Sequence, residues 1–369
     1  MLTKFAVTNF KNFKETFVFE LIANRYEFNA EAIENGIVKK AIIYGANGCG
    51  KSNLGFAIFE LISHLTDKEF SHEVYNRNYL NAESKEKLTT FCFNFDFDGS
   101  KVEYRYSKKA IDHIVSEVLT INNKDVIVYN RGTPVKINLK GAESLNTDLT
   151  GSKLSALKYV RNNTVLDSRN KINKLFNTFF SFVDKMLFFR SLDETSYIGY
   201  EKGARSIIQD ILKKGHLKEF EHFLNTAGII CQLTSIDING QQDIAFNYGE
   251  KAIPFLDVAS TGTRSLGLFY FWLQRLKASN EVSFVFIDEF DAFYHHNLSA
   301  LIVNELKKLS CQVILTTHNT SIMSNELLRP DCYFIMKNNQ IKPLHQLTDK
   351  ELRSAHNIEK MYKASAFNV

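Results

Sequence analysis

Val38-Lys39-Lys40-Ala41-Ile42-Ile43-Tyr44 runs straight into Gly45-Ala46-Asn47-Gly48-Cys49-Gly50-Lys51-Ser52. Beyond it Leu54, Ala57, Ile58, Leu61, Ile62 and Leu65 recur at helical spacing. Strand, glycine-rich turn and amphipathic helix in direct succession are the context a phosphate-binding loop requires. Residues 45–52 fit the pattern GxxxxGK[ST] in full. Glycine at 45, 48 and 50 lets backbone N–H groups turn inward onto phosphate oxygens where a side chain would collide. The helix that starts near Ser52 aims its positive end at the same anion. Lys51 is therefore expected on the β and γ phosphates of a nucleotide and the Ser52 hydroxyl on Mg²⁺, with Asn47 and Asn53 also in the nucleotide-binding set.

Three later stretches extend this reading. Phe284-Val285-Phe286-Ile287-Asp288-Glu289 is an apolar strand ending in two acids. Desolvating two carboxylates is costly, so such an ending suits a place where a cation sits. Asp288 is expected to hold Mg²⁺ through its water shell and Glu289 to polarise an attacking water as general base. Val313-Ile314-Leu315-Thr316-Thr317-His318 is a second apolar strand, and it ends in a histidine. A lone histidine usually has a structural role, but this position favours a γ-phosphate contact. Ala259-Ser260-Thr261-Gly262-Thr263-Arg264 precedes an apolar helix and by itself reads as an ordinary N-cap.

The rest of the chain surrounds these motifs. Residues 4–22 read as strands with a turn at Asn12. Residues 88–130 read as an antiparallel meander, with Phe91, Phe93, Phe95 and Phe97 alternating and Asp98-Gly99 as a hairpin turn. Residues 152–225 read as mainly helical, and a hairpin follows around Asn239-Gly240. From 264 onward helices alternate with strands at 282–287, 312–316 and 332–336. The expected fold is α/β, with an N-terminal lobe over 1–150, a compact helical insertion over 151–230 and a C-terminal lobe over 231–369.

Composition narrows the function classes. The chain has 369 residues, 44% of them apolar and 23% charged, which is ordinary for a globular protein. A net charge of +4 does not by itself mark a nucleic-acid binder. No apolar run reaches the roughly 18 residues of a spanning helix, and the N-terminus enters a strand rather than a signal peptide. Cysteines 49, 92, 231, 311 and 332 show no CxxC spacing, which points away from zinc and disulfides and toward the cytoplasm.

The order of phosphate loop, Ser-x-Gly element, acidic strand and histidine resembles the ABC-type ATPases, specifically their SMC, RecF and RecN branch. The resemblance covers residues 1–65 and 250–345. It implies a P-loop NTPase head that binds ATP and Mg²⁺. It further implies that Ser260 and Gly262 act as a signature motif on the nucleotide of a partner copy, so that a homodimer or higher homo-oligomer forms composite sites. Arg264 is a candidate support for that site in trans.

Within this branch the chain is similar to stand-alone AAA15-type ATPases, which include OLD-like modules and the ATPase subunits of antiphage systems such as Septu and PARIS. The likeness lies in Phe5-Ala6-Val7-Thr8-Asn9-Phe10-Lys11-Asn12-Phe13, in Phe290-Asp291-Ala292-Phe293-Tyr294-His295 as a D-loop, and in Leu352 to Tyr362 as a C-terminal helix. It implies an ATPase that controls a separate effector, a nuclease by analogy, since residues 319–369 are too few for a fused TOPRIM nuclease. The alternative is a RecF- or SMC-like repair ATPase that clamps DNA, with nucleic acid as the partner.

Two departures stand out. No glutamine fits the Q-loop, for which Glu117 is the substitute candidate, and His296 stands where a proline often follows the D-loop. Three weaker features remain: His295-His296 near Asp291 as a metal pair, Lys213 to Lys218 as a basic run, and Cys49 as a redox-sensitive residue.

Overall fold

In the computed structural model the described residues are 1–68, 77–149, 151–190, 196–199, 207–278, 282–292 and 296–368. The chain begins with β1 (Leu2–Thr8) and β2 (Phe17–Glu20), joined by a tight turn closed by the Phe10–Phe13 bridge. A small hairpin, β3 (Ile33–Glu34) and β4 (Ile37–Val38), leads into β5 (Lys40–Tyr44), every residue of which is buried. Helix α1 (Lys51–Leu65) follows, and all six apolar positions expected on its inner face are buried. Each of the five leucine and isoleucine side chains among them contributes roughly 1.5–3 kcal/mol by leaving water.

The meander is β6 (Thr89–Phe97), β7 (Ser100–Ala110), β8 (His113–Ile121), β9 (Lys124–Asn130) and β10 (Lys136–Ile137). Its tight turns sit at Asp98-Gly99 and Asn122-Asn123, where all four residues have positive φ. That geometry matches the twist of paired strands and is reached most easily by glycine and asparagine. With β1 and β2 these strands form a seven-stranded antiparallel sheet, ordered β10-β9-β8-β7-β6-β1-β2.

The stretch expected to be mainly helical holds α2 (Ala156–Asn163) and α3 (Lys171–Asp184), then two strands, β11 (Met186–Arg190) and β12 (Ser196–Gly199), then α4 (Ile207–Lys213) and α5 (Leu217–Thr226). The strands correct the sequence reading. Met186-Leu187-Phe188-Phe189 is a short apolar run without period-2 alternation, which periodicity cannot separate from a buried helical turn. Here it is a central strand. Gly215, with φ of +71°, separates the two short helices.

The expected Asn239-Gly240 hairpin joins β13 (Leu233–Ile238) to β14 (Gln241–Asn247), and β15 (Ala252–Pro254) completes a small sheet. Next come α6 (Phe255–Val258), α7 (Thr261–Ala278), β16 (Phe284–Asp288), α8 (His296–Lys307), β17 (Gln312–Thr317), β18 (Tyr333–Lys337), β19 (Gln340–Pro343) and α9 (Ile358–Lys363). The second seven-stranded sheet is ordered β12-β11-β16-β17-β5-β18-β19. Its five inner strands are parallel and its two edge strands antiparallel. The architecture is the expected α/β one, a parallel P-loop sheet beside an antiparallel meander.

A buried glutamine joins the sheets. Gln312 accepts a hydrogen bond from Leu2 N at 3.0 Å and donates to Leu2 O and Val38 O. Helix α1 lies across β11 and β16 so closely that a Cβ on Gly55 would fall 2.8 Å from Phe188 and 3.0 Å from Phe286. The C-terminal helix is shorter than the 352–362 expected. Asn357 caps it by accepting from Lys360 N, and Asn325 Nδ2 binds the carbonyls of Arg353, Ser354 and His356, which holds the preceding residues in a turn. Among the described residues no helix is long and apolar enough to cross a membrane.

Candidate functional site: a phosphate loop facing two acids and a histidine

The parallel register determines what meets at the sheet's C-terminal edge. Tyr44, the last residue before the loop, pairs with Thr317, the last before His318, and Ile287 pairs with Leu315. The phosphate loop, the acidic pair and the histidine therefore leave three neighbouring strands at one end, where ligands bind in open parallel sheets.

The loop is shaped for a ligand backbone. Gly48 has φ of +77° and Gly50 of +107°, conformations L side chains rarely adopt. A Cβ at Gly45 would meet Cys49 Sγ at 2.6 Å and Met336 O at 2.7 Å, and one at Gly50 would meet Asn12 Nδ2 at 2.3 Å. Asn47 and Gly48 are exposed at the tip. Asn53 donates from Nδ2 to Asn12 Oδ1 at 2.7 Å, and Asn12 donates to Asn339 Oδ1 at 3.2 Å. Asn53 thus braces the loop against the β1–β2 turn and the β18–β19 turn.

Lys51 folds back into the loop, donating to Gly45 O at 3.0 Å and Ala46 O at 3.2 Å. Its Nζ also lies 2.9 Å from His318 Nε2, which in turn lies 3.2 Å from Glu289 Oε1. Both contacts use the same ring nitrogen. An ammonium only donates and a carboxylate only accepts, so Nε2 serves one partner at a time. Unprotonated it accepts from Lys51; protonated it donates to Glu289. The histidine placed by sequence beside a phosphate is thus a fork between the loop lysine and the second acid.

The first acid is held separately. Asp288 is buried, and its Oδ1 accepts from Thr316 Oγ1 at 2.7 Å. Glu289 has φ of +48°, a left-handed conformation that is uncommon without glycine and that clusters at functional sites. The hydroxyl of Ser52 and the carboxylate of Asp288 are hard oxygen donors of the kind Mg²⁺ takes, and the glycine cradle is one that side chains would fill, so the residues fit a nucleotide with its metal.

Ser260 and Gly262 are not part of this cluster. Ser260 Oγ accepts from Thr263 N at 3.2 Å and the Ser260 carbonyl accepts from Arg264 N at 2.9 Å, so Ser260 caps the 18-residue helix α7. Ser260 and Thr261 are exposed. Among the described residues no hydrogen bond joins this element to the phosphate loop or the acids of the same chain. Arg264 donates to Leu256 O and braces the turn before the helix.

Glu117 does not stand in for a Q-loop residue. It is fully buried, and its oxygens accept from Tyr104 Oη, Ser155 Oγ and Ala156 N, which anchors the start of α2. Phe293, Tyr294 and His295 of the expected D-loop lie outside the described residues, as does the side chain of His296. Sequence reasoning gave no site role to Asn12, Asn339, Thr316 and Thr317, and it placed Asp291 in the D-loop without the Thr317 bond that holds it. The one signal for them was a pair of hydroxyl residues closing an otherwise apolar strand.

Residues 40–324 match the family model described as "AAA domain, putative AbiEii toxin, Type IV TA system". No curated protein matches the chain. Among solved structures, the SMC head domain from Thermotoga maritima is similar at 14% identity and a TM-score of 0.45, covering 93% of this chain and 98% of that one. An SMC head bound to the C-terminal winged-helix domain of ScpA is similar at 16% identity and 0.48, covering 93% and 97%. An SMC head with an extended coiled coil, bound to the C-terminal domain of ScpA derived from Pyrococcus furiosus, is similar at 14% and 0.48, covering 94% and 97%. The family match runs from the strand before the phosphate loop to just past His318, well over half of the chain, and on that span the chain belongs to this family of AAA-domain P-loop ATPases.

Proposed function

We propose that this chain hydrolyses ATP in the ABC manner, with each site completed by the signature element of a second copy, and that the closed dimer controls a separate effector. One observation carries the reading. Lys51, Asp288, Glu289 and His318 converge within one chain, while Ser260 and Gly262 stand at an exposed helix start with no bond to them. A helix N-terminus is suited to an anion, and here the anion is the γ-phosphate held by the other copy.

Each residue then has a role its position allows. Lys51 leaves the Gly45 and Ala46 carbonyls for the β and γ phosphates. Ser52 and Asp288 would hold Mg²⁺, which when bound would neutralise phosphate charge. Once Lys51 has turned to phosphate, His318 Nε2 is free to donate to Glu289 or to a γ-phosphate oxygen. Glu289 then polarises the attacking water. Two copies closed by a ligand that binds the closed state far better than the open one would separate when phosphate leaves. The family description names a "putative AbiEii toxin" of a Type IV TA system; the separate effector, taken as a nuclease subunit, rests on the likeness to antiphage ATPase subunits.

The test is the solution mass of Glu289→Gln protein with and without Mg·ATP, beside phosphate release by the wild type. Trapped dimer on ATP addition, with turnover down by about 100-fold or more, is the expected result, and Lys51→Ala should neither bind ATP nor dimerise. A Glu289→Gln variant that hydrolyses ATP at the wild-type rate refutes the base; one that stays monomeric with ATP bound refutes the composite site.

A further inference from the structure

Strand β17 ends in two hydroxyl side chains, Thr316 and Thr317, both fully buried after the apolar run Val313-Ile314-Leu315. A buried hydroxyl without a partner is costly, so where the bonds go is informative. Each hydroxyl makes the same two bonds. Thr316 Oγ1 donates to Asp288 Oδ1 at 2.7 Å and accepts from Glu289 N at 2.8 Å. Thr317 Oγ1 donates to Asp291 Oδ1 at 2.7 Å and accepts from Asn319 N at 2.8 Å. The first hydroxyl therefore ties two consecutive acids together, and the second ties the segment after the acids to the loop that carries His318.

A hydroxyl has a single proton, so its direction is determined by the carboxylate it serves, and a lone pair then faces the amide. We infer that Thr316 is a positioning residue for the ATPase reaction: one hydroxyl orients the Asp288 carboxylate and fixes the peptide plane of Glu289, so metal-holding and water-polarising groups are set from one point. The inference rests on the proposed function. Its physical need is the backbone of Glu289. At φ of +48° this residue is in a left-handed conformation that an L side chain seldom adopts, and the Thr316 hydrogen bond is one interaction that holds it there. The bond to Oδ1 also leaves Oδ2 of Asp288 for Mg²⁺ or its water shell. Thr317 pins the histidine loop by the same device but touches neither of the two acids.

The two threonines therefore make separable predictions. ATP binding is measured as a function of Mg²⁺ concentration, alongside single-turnover hydrolysis, for wild type, Thr316→Val, Thr316→Ser and Thr317→Val. Thr316→Val should raise the Mg²⁺ needed for half-maximal ATP binding by about tenfold, the loss of one charge-assisted hydrogen bond. It should lower the hydrolysis rate by about 100-fold, as small misplacements of reacting groups do. Thr316→Ser, which keeps the hydroxyl, should return both to near wild type. Thr317→Val should slow hydrolysis without moving the Mg²⁺ requirement. If Thr316→Val does not fold, Thr316→Ala carries the same comparison. Wild-type rate and Mg²⁺ dependence in Thr316→Val, or a Ser variant as impaired as the Val one, overturns the positioning role alone. A wild-type protein that binds no Mg·ATP refutes the proposed function, and the inference falls with it.

Discussion

Replacing Lys108 by methionine should destabilise this protein by about 3–5 kcal/mol, although Lys108 is far in sequence from every motif proposed to bind nucleotide. Lys108 and Glu60 are both fully buried, and their ion pair closes at 2.6 Å between β7 and helix α1. Glu60 also accepts from Tyr79 Oη at 3.0 Å, from Ser63 Oγ at 3.1 Å and from Tyr106 Oη. Lys108 Nζ donates further to Ile111 O at 2.9 Å. Burial alone pushes the Glu60 carboxyl up, yet Lys108 and its neighbours hold it at about 2. Methionine keeps most of the lysine's volume and removes its charge. Glu60 then keeps only its hydroxyl donors and His64, whose Nδ1 lies 3.2 Å from its Oε2, and a buried carboxylate that has lost its ammonium partner takes up a proton at a higher pH. Urea unfolding at pH 7 should show the full loss, and the gap from wild type should narrow toward pH 4. The double variant Glu60→Gln, Lys108→Met, which removes both charges, should recover at least half of it, because a buried pair contributes less than its broken half costs. A loss under about 1 kcal/mol, or a double variant no better than the single, would refute the claim that this pair is what holds α1 on the meander.

Two further predictions follow from the same geometry. Glu60 has an ordinary value of 4.5 and a folded one of about 2, so its contribution, on the order of 3 kcal/mol, is fully present above pH 4.5 and is lost as pH falls toward 2; acid titration of wild type and Glu60→Gln by circular dichroism should separate the curves in that window, and superimposed curves would sink the assignment. Gly50→Ala should abolish ATP binding while leaving the chain folded, because its Cβ would strike Asn12 Nδ2 at 2.3 Å in a left-handed backbone; affinity within about threefold of wild type, under 1 kcal/mol, would show that the loop opens away from Asn12.

The chemistry of the site was readable in the sequence because it is written in contiguous stretches. A phosphate loop needs its glycines, lysine and serine in one run, since one backbone turn has to present all of them, and the acids and the histidine announce themselves by closing apolar strands. The hairpin turns were readable for the same reason: Asp98-Gly99 and Asn239-Gly240 satisfy a positive φ locally. Strand β11 was not, because an apolar run of four residues lacks a period that tells helix from strand, and only its pairing with β16 decides. Asn12, Thr316 and Glu117 carry no local signature either. Asn12 matters because a turn near the N-terminus folds onto Gly50, Thr316 because β17 lies beside β16, and Glu117 proved an anchor for α2 because tertiary packing brought Ser155 to it. What the sequence alone determined is the set of groups proposed to bind and hydrolyse a nucleotide. Which hydroxyl holds which acid, and which nitrogen faces which charge, was decided by the tertiary structure, since hydrogen bonds of 2.7–2.9 Å between distant residues depend on strand register and helix packing that no local pattern encodes.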